Sequence, residues 1–225
     1  MISPLPVLYE DNHLLVINKP AGVLVQGDAT GDIPLVEIAK EYIRKKYNKP
    51  GDVFLGVVHR LDRPVSGVVV FARTSKALER MNELFRNRDT QKIYWALVST
   101  KPTRNEGTLV HWLMKDEKKN KTTAYSRENP NGSRSELNYQ VIANKSGYFL
   151  VEVNPITGRP HQIRVQLASM GCPIVGDVKY GSEISSPDGS IGLHARKLSF
   201  IHPVKKEPIV ISAKLPKNDW WKPFA

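Results

Sequence analysis

The chain has 225 residues, 40% of them hydrophobic and 24% charged, enough to bury the core of one domain but with no apolar run long enough to span a bilayer. Lysine and arginine outnumber aspartate and glutamate by 33 to 22, a formal charge of +11, which favours a polyanionic partner, nucleic acid foremost. The lone Cys172 excludes an internal disulfide and a cysteine-rich metal site and fits a reducing compartment, and the first residues, Met1 to Pro6, lack the basic and apolar pattern of a secretory leader, so a cytoplasmic protein is expected.

In chain order, the apolar run Leu14 to Ile17, the polar turn Asn18 to Gly22 and a second run, Val23 to Val25, read as two strands about a turn. Leu35, Ile38, Ala39, Tyr42 and Ile43 recur at helical spacing, with Pro34 ahead and Pro50-Gly51 as the stop. The run Val68 to Ala72 reads as a buried strand, and Thr74 or Ser75 caps a second helix bearing Ala77, Leu78, Met81, Leu84 and Phe85. A strand from Ile93 to Val98 follows. Beyond residue 100 short β-like pieces dominate, at Thr108 to Leu113, Thr122 to Ser126, Glu136 to Ile142 and Phe149 to Val153, and antiparallel hairpins are expected. Asn131-Gly132-Ser133, formally a glycosylation acceptor, reads as a turn. A last helix runs from about His161 to Met170, ended by Gly171, before strands at Leu193 to Ile201 and Ile209 to Leu215. With no repeat and no Gly/Ser or Pro-rich linker, residues 1–225 read as a single α+β domain with a large, mixed, mostly antiparallel sheet flanked by a few helices.

Three segments carry chemistry. His59-Arg60-Leu61-Asp62-Arg63-Pro64-Val65-Ser66-Gly67 places one carboxylate among bases at the mouth of the Val68 to Ala72 strand, where nearby positive charge favours its ionised form. Such a carboxylate can be a nucleophile, a base or only an ion-pair partner. Gly158-Arg159-Pro160-His161-Gln162-Ile163-Arg164 opens the last helix, with His161 and Arg164 about one turn apart on one face; a plain surface helix is the competing reading. The alternation in Ile93 to Val98 puts Tyr94, Ala96 and Val98 on one side of a strand.

The first segment resembles the HRLD-x-x-[ST]-SG signature of RluA-type RNA pseudouridine synthases, the second their G-R-x-H-Q-I-R motif, and Lys92-Ile93-Tyr94-Trp95-Ala96 their K-x-Y-x-A pattern. Asn18 to Gly22, Leu193-His194-Ala195 and His202-Pro203 are weaker matches, and together they run in the family's order from about Val7 to Leu215. The resemblance implies the pseudouridine synthase fold, with Asp62 as the catalytic residue, Tyr94 stacked on the target base, Arg164 paired with Asp62 and Leu193 lining the uridine pocket. It implies further contacts to substrate or RNA from His59, Arg60, Arg63, Ser66, Arg159, His161 and Gln162, no cofactor, no metal, and tRNA or large-subunit rRNA, or both, as partner; a monomer is the default expectation, since no residue pattern reads out an oligomeric state. Val65 departs from the common Thr, and no S4 RNA-binding domain precedes the match, so a stand-alone catalytic region is expected.

Turning uridine into pseudouridine exchanges an N1–C1′ for a C5–C1′ bond with no net redox change, and needs an ionised carboxylate in a shielded site whether it attacks C1′, adds to C6 or removes a C2′ proton. A uridine stacked in RNA must first be flipped out, which directs attention to single-stranded loops. Lys45, Lys46, Lys118, Lys119, Lys121, Lys205 and Lys206 are candidate phosphate contacts. Two other classes fit less: a non-catalytic RNA-binding module does not require Asp62, Tyr94 and Arg164 together, and a glycosidase uses a second acid that the Asp62 motif lacks. The kinase H-R-D loop is excluded by Leu61 and by the absence of a Gly-rich phosphate loop.

Overall fold

The structure is a computed structural model that describes residues 4–225. Its contacts group the chain into two compact units, residues 1–91 with 195–214, and residues 92–194 with 215–225. Two of the three boundaries, at 91/92 and 194/195, fall inside strands, where no linker composition marks them.

In the first unit, β1 (Val7–Glu10) pairs antiparallel with β2 (Leu14–Lys19), and β2 with β4 (Ser66–Ala72), in register from Leu14 opposite Ala72 to Lys19 opposite Gly67. The two-residue β3 (Gly56–Val57) also pairs with β4. Beyond β4 lies β10 (Leu193–Ile201), which carries β11 (Pro208–Ser212). Every residue of β4 is buried, as its unbroken apolar run requires. Leu14, Val16, Val68, Val70, Leu198, Phe200 and Ile211 pack together with Met81 of helix α2 (Ser75–Asn87). The Thr74 hydroxyl accepts the Ala77 amide at 3.1 Å as the N-cap of α2, and Arg88 ends the helix in the left-handed region.

One expected strand is absent: Val23 to Val25 form irregular backbone. Helix α1 (Leu35–Lys46) has Pro34 at its N-cap and no side chain to satisfy its first amides. The carbonyls of Leu24 and Val25 accept the amides of Leu35 and Val36 at 2.7 and 3.2 Å, and the Val23 carbonyl accepts the Lys19 ammonium, so this backbone is committed elsewhere than a ladder.

The second unit is an antiparallel sheet in the order β5 (Thr90–Val98), β9 (Tyr148–Pro155), β8 (Ser133–Lys145), β6 (Glu106–Asp116), β7 (Lys121–Tyr125). The turn between β8 and β9 uses Ser146 and Gly147, both at positive φ, as the twist of a tight hairpin demands. Helix α3 (Gln162–Ser169) packs on β6 and β7. Leu97, Leu150, Val175 and Trp221 form a core cluster of this unit. The α+β class and the predominance of antiparallel pairing are as the sequence predicts; the strands run longer at their polar ends, where pairing rather than hydrophobic pattern sets the limit. Among the described residues no helix is long and apolar enough to cross a membrane.

Candidate active site

In the first unit, Asp62 lies in the loop from β3 to β4, half-buried between the buried Leu61 and Val65. Its carbonyl accepts the Val65 amide at 3.0 Å, closing a turn. The next carbonyl, that of Arg63, accepts both the Gly22 amide at 2.8 Å and the Lys19 ammonium at 3.2 Å. Lys19 is fully buried at the end of β2, and its Nζ also donates to the carbonyls of Val23 at 2.7 Å and Pro20 at 3.0 Å. One ammonium thus ties the 20–23 turn to the backbone beside Asp62. Burial pushes Lys19 down to about 7, against the charge of Asp62, which favours the protonated form; Arg63 adds to the depression.

Arg63 turns its side chain to the same task, donating from Nε to the Gly22 carbonyl at 3.0 Å and pairing with Asp32 at 2.7 Å. His59 accepts the Val70 amide at 3.2 Å through Nε2 and stacks on Phe85, ring centroids 4.9 Å apart. Both of these residues, expected to meet RNA, have internal contacts that brace the loop. Arg60 is exposed, and Ser66 is buried at the start of β4. Gly67 has φ +117°, and a Cβ there would lie 2.3 Å from the Ala195 carbonyl oxygen, so the Ser-Gly of the signature reflects a close approach of two backbones.

In the second unit, Tyr94 is half-buried on β5, opposite Val153 of β9. Arg164 is buried on α3, which is no surface helix: six of its eight residues are buried. The Arg164 guanidinium donates from Nε and Nη2 to the two carboxylate oxygens of Asp177 at 2.7 and 2.9 Å, a bidentate pair with both partners buried. It also lies over the Tyr180 ring, 5.1 Å from the centroid. The Tyr180 hydroxyl is fixed in turn by Nδ1 of His161 at 2.6 Å and the Thr122 amide at 2.9 Å. Burial raises the pKa of this phenol, and its oxygen accepts the Thr122 amide. His161 and Arg164, one turn apart, therefore share Tyr180 as neighbour.

Gln162 is a brace: its Oε1 accepts the Thr157 hydroxyl at 2.8 Å and the Arg159 amide at 3.0 Å, while Nε2 donates to the Glu136 carbonyl at 3.0 Å. Arg159 itself is exposed, and Leu193 is buried at the start of β10. Sequence pattern alone assigns no role to Lys19, Asp177 or Tyr180. Their signals are faint: a lysine in a turn, and an Asp and a Tyr between Gly176 and Gly181.

The His202-Pro203 match is structural. Asp11 accepts the Tyr9 hydroxyl, the amides of His13 and Leu14, Nε2 of His202 and the Lys205 ammonium, all at 2.8–3.0 Å. Nδ1 of His202 accepts the amides of Val204 and Lys205, which places the ring proton on Nε2. Burial works to raise the Asp11 pKa, but Lys205 and the other donors outweigh it and hold the carboxyl well below its ordinary range. Among the candidate phosphate contacts, Lys205 is thus paired with Asp11 and Lys46 with Glu10. Among the described residues no group of His, Cys, Asp and Glu could hold a metal ion.

These observations can be set beside known proteins. Residues 13–169 match the profile of the RNA pseudouridylate synthase family. The chain is 35% identical over 215 residues to the ribosomal large subunit pseudouridine synthase C of Vibrio vulnificus, covering 93% of this chain and 65% of that protein, so it spans somewhat under two thirds of the length of that relative. It is 34% identical to an uncharacterized RNA pseudouridine synthase of Zymomonas mobilis, covering 94% of both chains. Among solved structures, human RNA pseudouridylate synthase domain containing 4 superposes with a TM-score of 0.78 at 27% identity, over 94% of this chain and 89% of that one. The motifs around Asp62 and Tyr94 fall inside the matched span, as does Arg164, and the chain belongs to the RNA pseudouridylate synthase family.

Proposed function

We propose that this chain is an RNA pseudouridine synthase that isomerises uridines in large-subunit rRNA, in tRNA, or in both. Asp62 is the catalytic carboxylate, Tyr94 stacks on the freed uracil, Arg164 is the cationic partner of Asp62, and Leu193 lines the base pocket. Arg60, Arg63 and Arg159 are exposed and available to RNA, Arg63 while also bound to Gly22 and Asp32, and His59, Ser66, His161 and Gln162 act by holding the motifs in place. The reaction rearranges bonds within one nucleotide, so it requires no redox or group-carrying cofactor. The protein works as a monomer in the cytoplasm.

The observation that carries this reading is the scaffold of Asp62: a half-buried carboxylate on a turn fixed through the Arg63 carbonyl by Lys19 and Gly22. Such fixing suits a group that must meet a flipped nucleotide in one orientation. The relatives named for the large ribosomal subunit favour rRNA. The test is carbodiimide and reverse-transcription mapping of total RNA from source cells carrying the wild-type gene or Asp62→Asn. Loss of one or a few stops in the mutant supports the reaction and names its target. An unchanged map contradicts it and leaves RNA binding without chemistry.

A further inference from the structure

The hairpin of β6 and β7 in the second unit has a tip rich in lysine, Lys115-Asp116-Glu117-Lys118-Lys119-Asn120-Lys121, and Lys179 reaches it from the neighbouring loop, donating to the Asn120 carbonyl at 3.0 Å. The two carboxylates of the tip are used locally. Glu117 pairs with Lys115 at 2.6 Å, and Asp116 accepts the Lys119 amide at 3.0 Å. Lys118, Lys119, Lys121 and Lys179 are exposed and set a surplus of positive charge on one end of the hairpin.

A lysine-rich turn is ordinarily a mobile, solvated one. This tip is fastened at three points: the Thr122 amide to the Tyr180 hydroxyl at 2.9 Å, the Thr122 hydroxyl to the Pro160 carbonyl at 3.1 Å, and Lys179 to Asn120. The Lys121 ammonium lies 5.9 Å from the Tyr180 ring centroid, on the same ring that faces Arg164. The fastening reaches both the Arg159 to His161 turn and the Asp177 to Tyr180 loop, so the tip and the setting of Arg164 form one connected piece of structure.

Resting on the function proposed above, we propose that the tip of the β6–β7 hairpin together with Lys179 is a phosphate-gripping surface for the RNA backbone flanking the target uridine. Ammonium groups are point charges that bind phosphate without reading bases, so this surface contributes affinity and orientation and leaves the choice of uridine to other residues. Its fixed attachment to the Tyr180 loop means that an RNA held here is held in constant register with Arg164.

The experiment replaces Lys118, Lys119 and Lys179 together by glutamine and, separately, by arginine, leaving Lys121 because it packs on Tyr180. Binding of a labelled oligouridylate is measured across a salt series, and turnover is measured on the RNA identified by mapping. The glutamine variant is expected to bind about tenfold or more weakly at low salt, with the slope of log K against log salt reduced by about 2, since each single-strand phosphate contact contributes roughly 0.7. KM rises while kcat at saturating RNA stays within about twofold, and the arginine variant restores both affinity and slope. Wild-type affinity and slope in the glutamine variant overturn the proposal, as does equal weakening by glutamine and arginine, which marks a structural role for the lysines. Binding is read without turnover. A wild-type chain that binds through these lysines yet makes no pseudouridine sinks the proposed reaction and keeps the surface, whereas a fully active glutamine variant with the wild-type slope does the reverse.

Discussion

The loop that carries Asp62 and the loop that faces Arg164 are both rigidly set, by opposite means. In the first unit main-chain carbonyls converge on a buried ammonium, Lys19, and a glycine lets two backbones touch. In the second, a side-chain carboxylate, Asp177, and an aromatic face, Tyr180, hold a guanidinium. A main-chain scaffold fixes where a turn goes. A side-chain scaffold fixes the orientation of one functional group. The difference assigns each loop its own vulnerability: backbone geometry in the first, one carboxylate in the second.

Removing Asp177 breaks that contrast most severely. Asp177→Ala leaves a buried guanidinium without its bidentate partner and is expected to cost about 3–5 kcal/mol, measured by urea unfolding. A cost under about 1 kcal/mol would mean that Arg164 is not held as described. Gly67→Ala comes next, at about 3 kcal/mol or more, because the new Cβ meets the Ala195 backbone and φ is positive; thermal unfolding of this variant near the wild-type midpoint would contradict the close approach.

Asp11 offers a smaller, pH-resolved effect of about 2 kcal/mol. Its folded pKa is depressed, so its contribution is present above the ordinary carboxylate range and is lost as pH falls through about 4 and below. Asp11→Asn should remove that part of the acid limb of the stability curve. Lys19 has a signature of the same sign in a higher pH window. Its folded pKa lies near 7 and its unfolded value at 10.5, so between these the unfolded chain holds the proton and stability from this group rises with pH. Lys19→Met should flatten that rise, and an unaltered slope in this window would refute the burial of a titrating ammonium. The smallest effect belongs to Lys45, an exposed partner of Glu41 at 3.4 Å: Lys45→Ala should change stability by less than about 0.5 kcal/mol.

Much of the fold was legible because its signals are local. The apolar run of β4, the helical spacing of Leu35 to Ile43 and the Thr74 cap each depend on neighbours in sequence, and α3 was placed within one residue at either end. What was not legible depends on distant partners. Val23 to Val25 have strand composition, yet their carbonyls serve Lys19 and the start of α1. The burial of α3 was hidden because Gln162, Arg164 and Gln166 look like surface residues until their partners on other elements are known. Motif likeness singles out Asp62, Tyr94 and Arg164, but it does not show the internal contacts of His59 and Gln162. Asp177 stands 13 residues beyond Arg164, with no periodic relation to it.

The most direct test of the central claim follows the proton that leaves C5 when the new carbon–carbon bond forms. The purified chain is incubated with transcripts of the mapped RNA carrying tritium at C5 of uridine, and tritium released to solvent is counted for wild type and Asp62→Asn. The account predicts release by the wild type and a rate at least about a thousandfold lower in the variant, with RNA affinity within about twofold. Equal release by the two proteins, or free uracil in place of tritiated water from the wild type, would contradict it.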